Sequence, residues 1–151
     1  MKILVKDVAY AFGVLNAAKY QKLSDDDKIK VWKIVRAMKP VAMKYADDLK
    51  DAEQKLMPSD DFRERMMKAQ HYEMKRSQGA SDLPMTGDEY LKAVEEHRSY
   101  QALVDKAVKE YGDAEVDIVF DKITEDAFCR LMSSNDWTME QAVKVGEMIV
   151  E

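Results

Sequence analysis

Apolar positions along this chain recur mostly at helical spacing, with two short exceptions. The first is at the start, where Ile3, Leu4 and Val5 are β-formers ahead of a polar break and predict a strand over 2–6. A helix over 8–20 follows, with Val8, Ala9, Phe12, Leu15, Ala17 and Tyr20 on or beside its apolar face. Gly13 lies inside it and weakens it by about 1 kcal/mol relative to alanine. Ser24 is placed to cap the next helix, and Asp25, Asp26 and Asp27 fill its first turn, where carboxylates meet the positive end of the helix dipole. From there to Met57, the residues Val31, Val35, Met38, Ala42, Tyr45, Leu49, Ala52 and Leu56 alternate spacings of four and three. That is a coiled-coil seam along a helix of about 50 Å. Pro40 removes one backbone bond, to Arg36. The heptad phase runs on past it, which predicts a bend rather than a break.

Pro58-Ser59-Asp60-Asp61 ends that helix and is expected to cap another over 60–77, whose apolar face (Phe62, Met66, Ala69) gives way to Glu73 and Arg76. Residues 78–87 hold two glycines and a proline and predict a loop. Thr86 and Glu89 have capping-box spacing and open a helix over 88–111. Tyr90, Val94, His97, Gln101, Val104, Val108 and Tyr111 form a second seam there, and Gly112 is expected to end it as a C′ residue, a position where glycine is commonly left-handed. The two seams predict an antiparallel hairpin, in which residues 25–33 outrun their partner and need cover from the N-terminal helix or a second subunit. The second exception is Glu115–Lys122, where Val116, Ile118 and Phe120 alternate with acids. A lone strand leaves its amides unpaired, so this one is expected to pair with 2–6. Short helices from Thr124 to 133 and from a Thr138–Gln141 capping box to 150 complete the chain. The expected fold is mainly α: a long antiparallel, coiled-coil-like helical hairpin with a minor two-stranded β ribbon and short C-terminal helices. It is read as one domain over 1–151, with 58–87 a helix-plus-loop insertion at the hairpin end.

Composition narrows the class further. Five glycines and three prolines in 151 residues exclude turn-rich sandwiches and barrels, and 46% hydrophobic residues exclude disorder. A single cysteine forms no intrachain disulfide and fits a reducing compartment. No apolar run approaches the ~18 residues of a membrane span or the h-region of a signal peptide, so a cytoplasmic protein without membrane contact is expected. The net charge of −5 hides an asymmetry: residues 1–57 carry +4, residues 58–87 are balanced and residues 88–151 carry −9. A basic layer packed beside an acidic one accounts for this, and self-association is the sharper alternative.

Candidate chemistry is sparse. Neither histidine has a Glu three residues before it, and no glycine-rich phosphate loop occurs. His97 reads as a seam histidine, His71 as exposed, Cys129 as a buried structural thiol, and Asp25–Asp27 as caps rather than metal ligands. No catalytic, cofactor-binding or metal-binding residue is expected, and no enzyme activity. Lys28, Lys39 and Lys50 recur every eleven residues, as do Lys33, Lys44 and Lys55, so two stripes flank the first seam. These lysines are expected to cover the seam and pair with acids of 88–111. With the exposed-looking Trp32 they are also the candidate interaction surface, and phosphates of a nucleic acid are the alternative, disfavoured occupant.

The order of parts carries one resemblance. A strand (MKILVKDV) leads to a helix with LNAAKYQKLS, then to a long charged helix (KIVRAMKPVAMKYADDLKDAEQKLM). A return helix runs directly into an acidic strand (YQALVDKAVKEYGDAEVDIVFDKITEDAF). This resembles a family of small phage- and prophage-encoded helical-hairpin proteins of unknown function, over roughly 1–57 and 95–150, with 58–87 departing from it. The resemblance implies a phage-derived interaction or assembly protein of the host cytoplasm, acting through helical surfaces on a protein partner or on its own copy as a homodimer. It implies no activity for any residue.

Overall fold

A computed structural model describes residues 1–151. The order of elements is β1 (Lys2–Leu4), α1 (Val5–Asn16), α2 (Asp25–Lys55), α3 (Phe62–Ser77), α4 (Gly87–Gly112), β2 (Glu115–Asp117), α5 (Glu125–Ser133) and α6 (Met139–Ile149). The chain divides into two compact units, one of residues 1–48 and 110–151, the other of residues 49–109. The mainly α class is as expected from the periodicity.

In the first unit, β1 and β2 pair antiparallel with Lys2 opposite Asp117, Ile3 opposite Val116 and Leu4 opposite Glu115. This is the ribbon expected from the two short apolar runs, though β2 is shorter than 115–122. The alternation outlasts the ladder: Ile118 is buried and Phe120 half-buried, while Val119 is 85% exposed. The helix expected over 8–20 instead spans Val5–Asn16. Leu4 is still extended, and the Val5 amide donates to the Ala114 carbonyl, so strand passes to helix without a turn.

One core fills this unit. Val8, Ala11, Phe12 and Leu15 of α1 meet Val31, Ile34, Met38 and Ala42 of α2, with Ala127, Phe128 and Leu131 of α5 and Val145, Met148 and Ile149 of α6. Full burial of each large side chain contributes about 1.5–3 kcal/mol. Of residues 25–33, Val31 is therefore covered within the same chain, while Ile29 and Trp32 stay exposed. Ser24 caps α2 as expected, accepting from the Asp27 amide. Thr124 caps α5, and Thr138 and Gln141 form a full capping box on α6. Pro40 sits inside an uninterrupted α2. Gly112 is not left-handed. It is the last residue of α4, and a Cβ there would lie 3.0 Å from the Tyr45 hydroxyl and 3.3 Å from Lys6 Cβ, so the glycine sits where packing is tight.

The early basic and late acidic segments meet at the ribbon. The N-terminal ammonium lies 2.8 Å from Asp117, Lys6 2.6 Å from Asp113, and Lys2 3.9 Å from Glu115.

In the second unit, the end of α2 packs with α3 and α4 around Ala52, Phe62, Ala69, Tyr72, Ala93 and Val104. The Tyr100 hydroxyl donates to the Glu53 carbonyl at 2.9 Å, which is the hairpin pairing seen directly. Ring pairs tie α3 to α4: Phe62 with Tyr100 at 4.8 Å and Tyr72 with Tyr90 at 4.7 Å. The buried stripe of α4 is rotated from the expected seam. His97 and Gln101 are exposed, as are Val108 and Tyr111, while Ala93 is buried and Glu96, Tyr100 and Ala107 are half-buried. Small alanines permit close helix approach, and Tyr100 and Glu96 are held there by their polar ends. No side chain caps α3. Instead Ser59 donates to Asp61 at 2.5 Å, and Arg65 donates to Ser59 and, through both terminal nitrogens, to Glu96. Gly79, with φ of 74°, ends α3: its amide reaches Arg76 and that of Ala80 reaches Lys75.

No helix is long and apolar enough to cross a membrane.

Candidate interaction surface

The first unit's part of α2 has two faces of opposite character. At 100° per residue, Met38 falls about 180° from Ile29, so the side that enters the core lies directly behind the side that carries Ile29. Arg36, Pro40 and Met43 fall within about 40° of Ile29, and Trp32 and Lys33 within about 60°. Ile29 is 52% exposed, Trp32 57% and Met43 46%. The Arg36 guanidinium lies 5.2 Å from the centroid of the Trp32 ring, a cation–π contact one turn along the helix.

The charge of this segment is one-sided. Residues 28–46 hold Lys28, Lys30, Lys33, Arg36, Lys39 and Lys44 and no carboxylate, with acids only beyond each end at Asp25–Asp27 and Asp47–Asp48. Lys28 lies 3.9 Å from Asp25, and Lys44 is tied to Asp48 at 2.6 Å, a hydrogen bond that raises the Lys44 pKa above the usual lysine value. Lys33, Arg36 and Lys39 have no carboxylate partner.

Beside Trp32 a notch of about 340 Å³ opens between the end of α1 and α2, lined by Leu15, Asn16, Tyr20, Lys28, Trp32 and Val35. Tyr20 is fixed in its wall because its hydroxyl donates to the Leu15 carbonyl. Burial pushes its pKa up to about 12, so the wall stays neutral.

The structure divides the lysine stripes between the two units. Lys28, Lys33, Lys39 and Lys44 lie in the first with Trp32, and Lys50 and Lys55 in the second. None pairs with an acid of 88–111; the two that have partners find them within α2, one turn away. Eleven-residue spacing marked the lysines but missed Ile29, Arg36, Met43 and Tyr20. The acid-free run over 28–46 marks the segment of the first three, and Tyr20 lies outside it. Cys129 is exposed rather than buried, because α5 turns Ala127, Phe128 and Leu131 inward and leaves 129 and 130 outside. No three His, Cys, Asp or Glu side chains gather as metal ligands.

The second unit also exposes apolar side chains, among them Met67, Met74, Leu91 and Leu103. Its groove of about 480 Å³ is lined by Leu56, Pro58, Tyr100 and Leu103 together with Lys92, Glu95 and Glu96, so its charge is mixed.

No protein-family model, curated protein sequence or solved structure matches this chain.

Proposed function

We infer that this chain is a non-catalytic interaction protein that meets a protein partner through the outward face of α2. The observation that carries this reading is the exposure of Ile29, Trp32 and Met43 directly opposite a filled core. Each is already about half covered, so withdrawing the rest from water gains roughly half of the ~1.5–3 kcal/mol of full burial. A row of them on one helix face is the kind of patch that marks an interface. Tryptophan and arginine, adjacent here, are the residue types that dominate interface energetics. The order of parts, similar to phage- and prophage-encoded helical-hairpin proteins, supports an assembly or accessory role in the host cytoplasm. Self-association is the case in which the partner is a second copy.

The test uses wild type and a Trp32→Ala/Arg36→Glu variant as paired baits in host lysate, with circular dichroism as a control for folding. Proteins recovered by wild type and lost by the variant are expected. Equal recovery by both contradicts the reading.

The acid-free run also favours a second reading, contact with nucleic-acid phosphates. That reading predicts binding that falls steeply with salt, and a flat oligonucleotide titration at low salt removes it.

A further inference from the structure

Resting on the protein-docking reading, we propose that the occupant of the α2 face is an acidic α-helical segment of another protein, which seats one bulky apolar side chain in the notch beside Trp32. Three features point to this occupant.

Charge comes first. Lys28 and Lys44 are paired within α2, but Lys30, Lys33, Arg36 and Lys39 have no carboxylate partner; these four repel a basic segment and attract an acidic one, and complementarity of this kind sets partner choice and encounter rate. Backbone chemistry comes second. Apart from the Arg36 carbonyl, which Pro40 leaves without its usual donor, the helix interior Ile29–Met43 bonds its own amides and carbonyls, so it offers a partner side chains and no ladder of free backbone groups. A segment docked there must satisfy its own backbone, which a helix does and an extended strand does not. The face from Ile29 to Met43 runs about 21 Å, long enough for about four turns of such a helix. Shape comes third. The notch has apolar walls of Leu15, Tyr20, Trp32 and Val35 and a cation, Lys28, at its side. That combination fits an apolar anchor flanked by a carboxylate, the arrangement of helix-in-groove recognition.

The experiment selects a displayed library of random peptides about four helical turns long on the intact protein. Enriched peptides are then synthesised and titrated against wild type, Lys33→Glu/Arg36→Glu, Asn16→Trp and Asn16→Ala. Asn16 is exposed at the last position of α1, so a tryptophan there fills the notch without entering the core, and alanine keeps it open. The expected peptides are acidic and helical with one bulky apolar anchor. Their affinity falls at least roughly tenfold with Lys33→Glu/Arg36→Glu and with Asn16→Trp, and is kept with Asn16→Ala. Acidic peptides that lose affinity with the charge reversal but not with Asn16→Trp overturn the notch while leaving α2 as a protein-docking face. Peptides indifferent to both, or no enrichment, overturn the face itself. Two further results assign it another occupant and overturn the proposal: concentration-dependent self-association abolished by Lys33→Glu/Arg36→Glu, or oligonucleotide binding abolished by it.

Discussion

Two glycines inside helices of the first unit give a matched pair of perturbations. Gly13 lies in α1 and Gly146 in α6, and alanine at either position gains about 1 kcal/mol of helix propensity. Their surroundings differ. A Cβ on Gly13 would meet nothing within 4 Å. A Cβ on Gly146 would lie 3.1 and 3.2 Å from two atoms of the Phe128 ring. That ring is buried in the core and packs against Trp137 at 6.1 Å, so it cannot move freely aside. Overpacking of this kind costs about 1–3 kcal/mol. Gly13→Ala is therefore expected to stabilise the protein by about 1 kcal/mol, a rise in Tm of about 2–4 °C for a chain of this size. Gly146→Ala is expected to fall about 1–3 kcal/mol below it, because packing offsets or exceeds the same propensity gain. Urea titrations followed at 222 nm, with thermal melts alongside, measure both. Equal gains from the two substitutions would refute the packing of α5 against α6 described above.

Two further outcomes follow from the same structure. Thr138→Ala removes the hydroxyl that accepts from the Gln141 amide and is expected to cost about 1 kcal/mol in urea unfolding, with Thr138→Ser close to wild type. Asp61, Asp82 and Glu140 have pKa values held below the ordinary carboxylate range, by hydrogen bonds from Ser59, Lys75 and Lys144 respectively. A depressed folded-state pKa stabilises above the unfolded value and is lost as pH falls through the folded one, so urea midpoints should decline on acidification below about pH 4.5. Midpoints that stay level down to pH 3 would contradict those contacts.

Much of the fold was legible because single residues carry strong local signals. Ser24 and Thr138 cap the helices they were expected to cap, Thr124 stands where a helix was expected to start, and the two runs of β-formers pair with each other. Spacing placed Val31, Met38, Ala42 and Ala52 of α2 inward correctly, but it chose Val35, which is half-buried, and passed over Ile34, which is fully buried beside it. The stripe of α4 did not follow from spacing. Its inward positions include Ala93, Glu96 and Ala107, which add little to an apolar periodicity, and Val94 and Val108 pulled the phase one residue along. Gly79, read only as part of a loop, is the left-handed residue that ends a helix, and Gly112 is not, because sequence alone does not tell whether a glycine serves φ or space. The lysines of the candidate surface were visible as a stripe, but the notch beside Trp32 depends on where α1 ends. That end, at Asn16, is set by tertiary contacts such as the pair of hydrogen bonds between Lys19 and Asn135.

Everything proposed for α2 depends on Trp32 facing solvent while the opposite side of the same helix is sealed. Trp137 is the only other tryptophan, so Trp137→Phe leaves Trp32 as the sole indole fluorophore. Acrylamide quenching of that variant, across a range of protein concentrations, tests the exposure most directly. The expected result is red-shifted emission with quenching at roughly half the efficiency of a free tryptophan derivative at the lowest concentration, in keeping with a ring that is 57% exposed. Blue-shifted emission protected from quenching at the lowest concentration would contradict it.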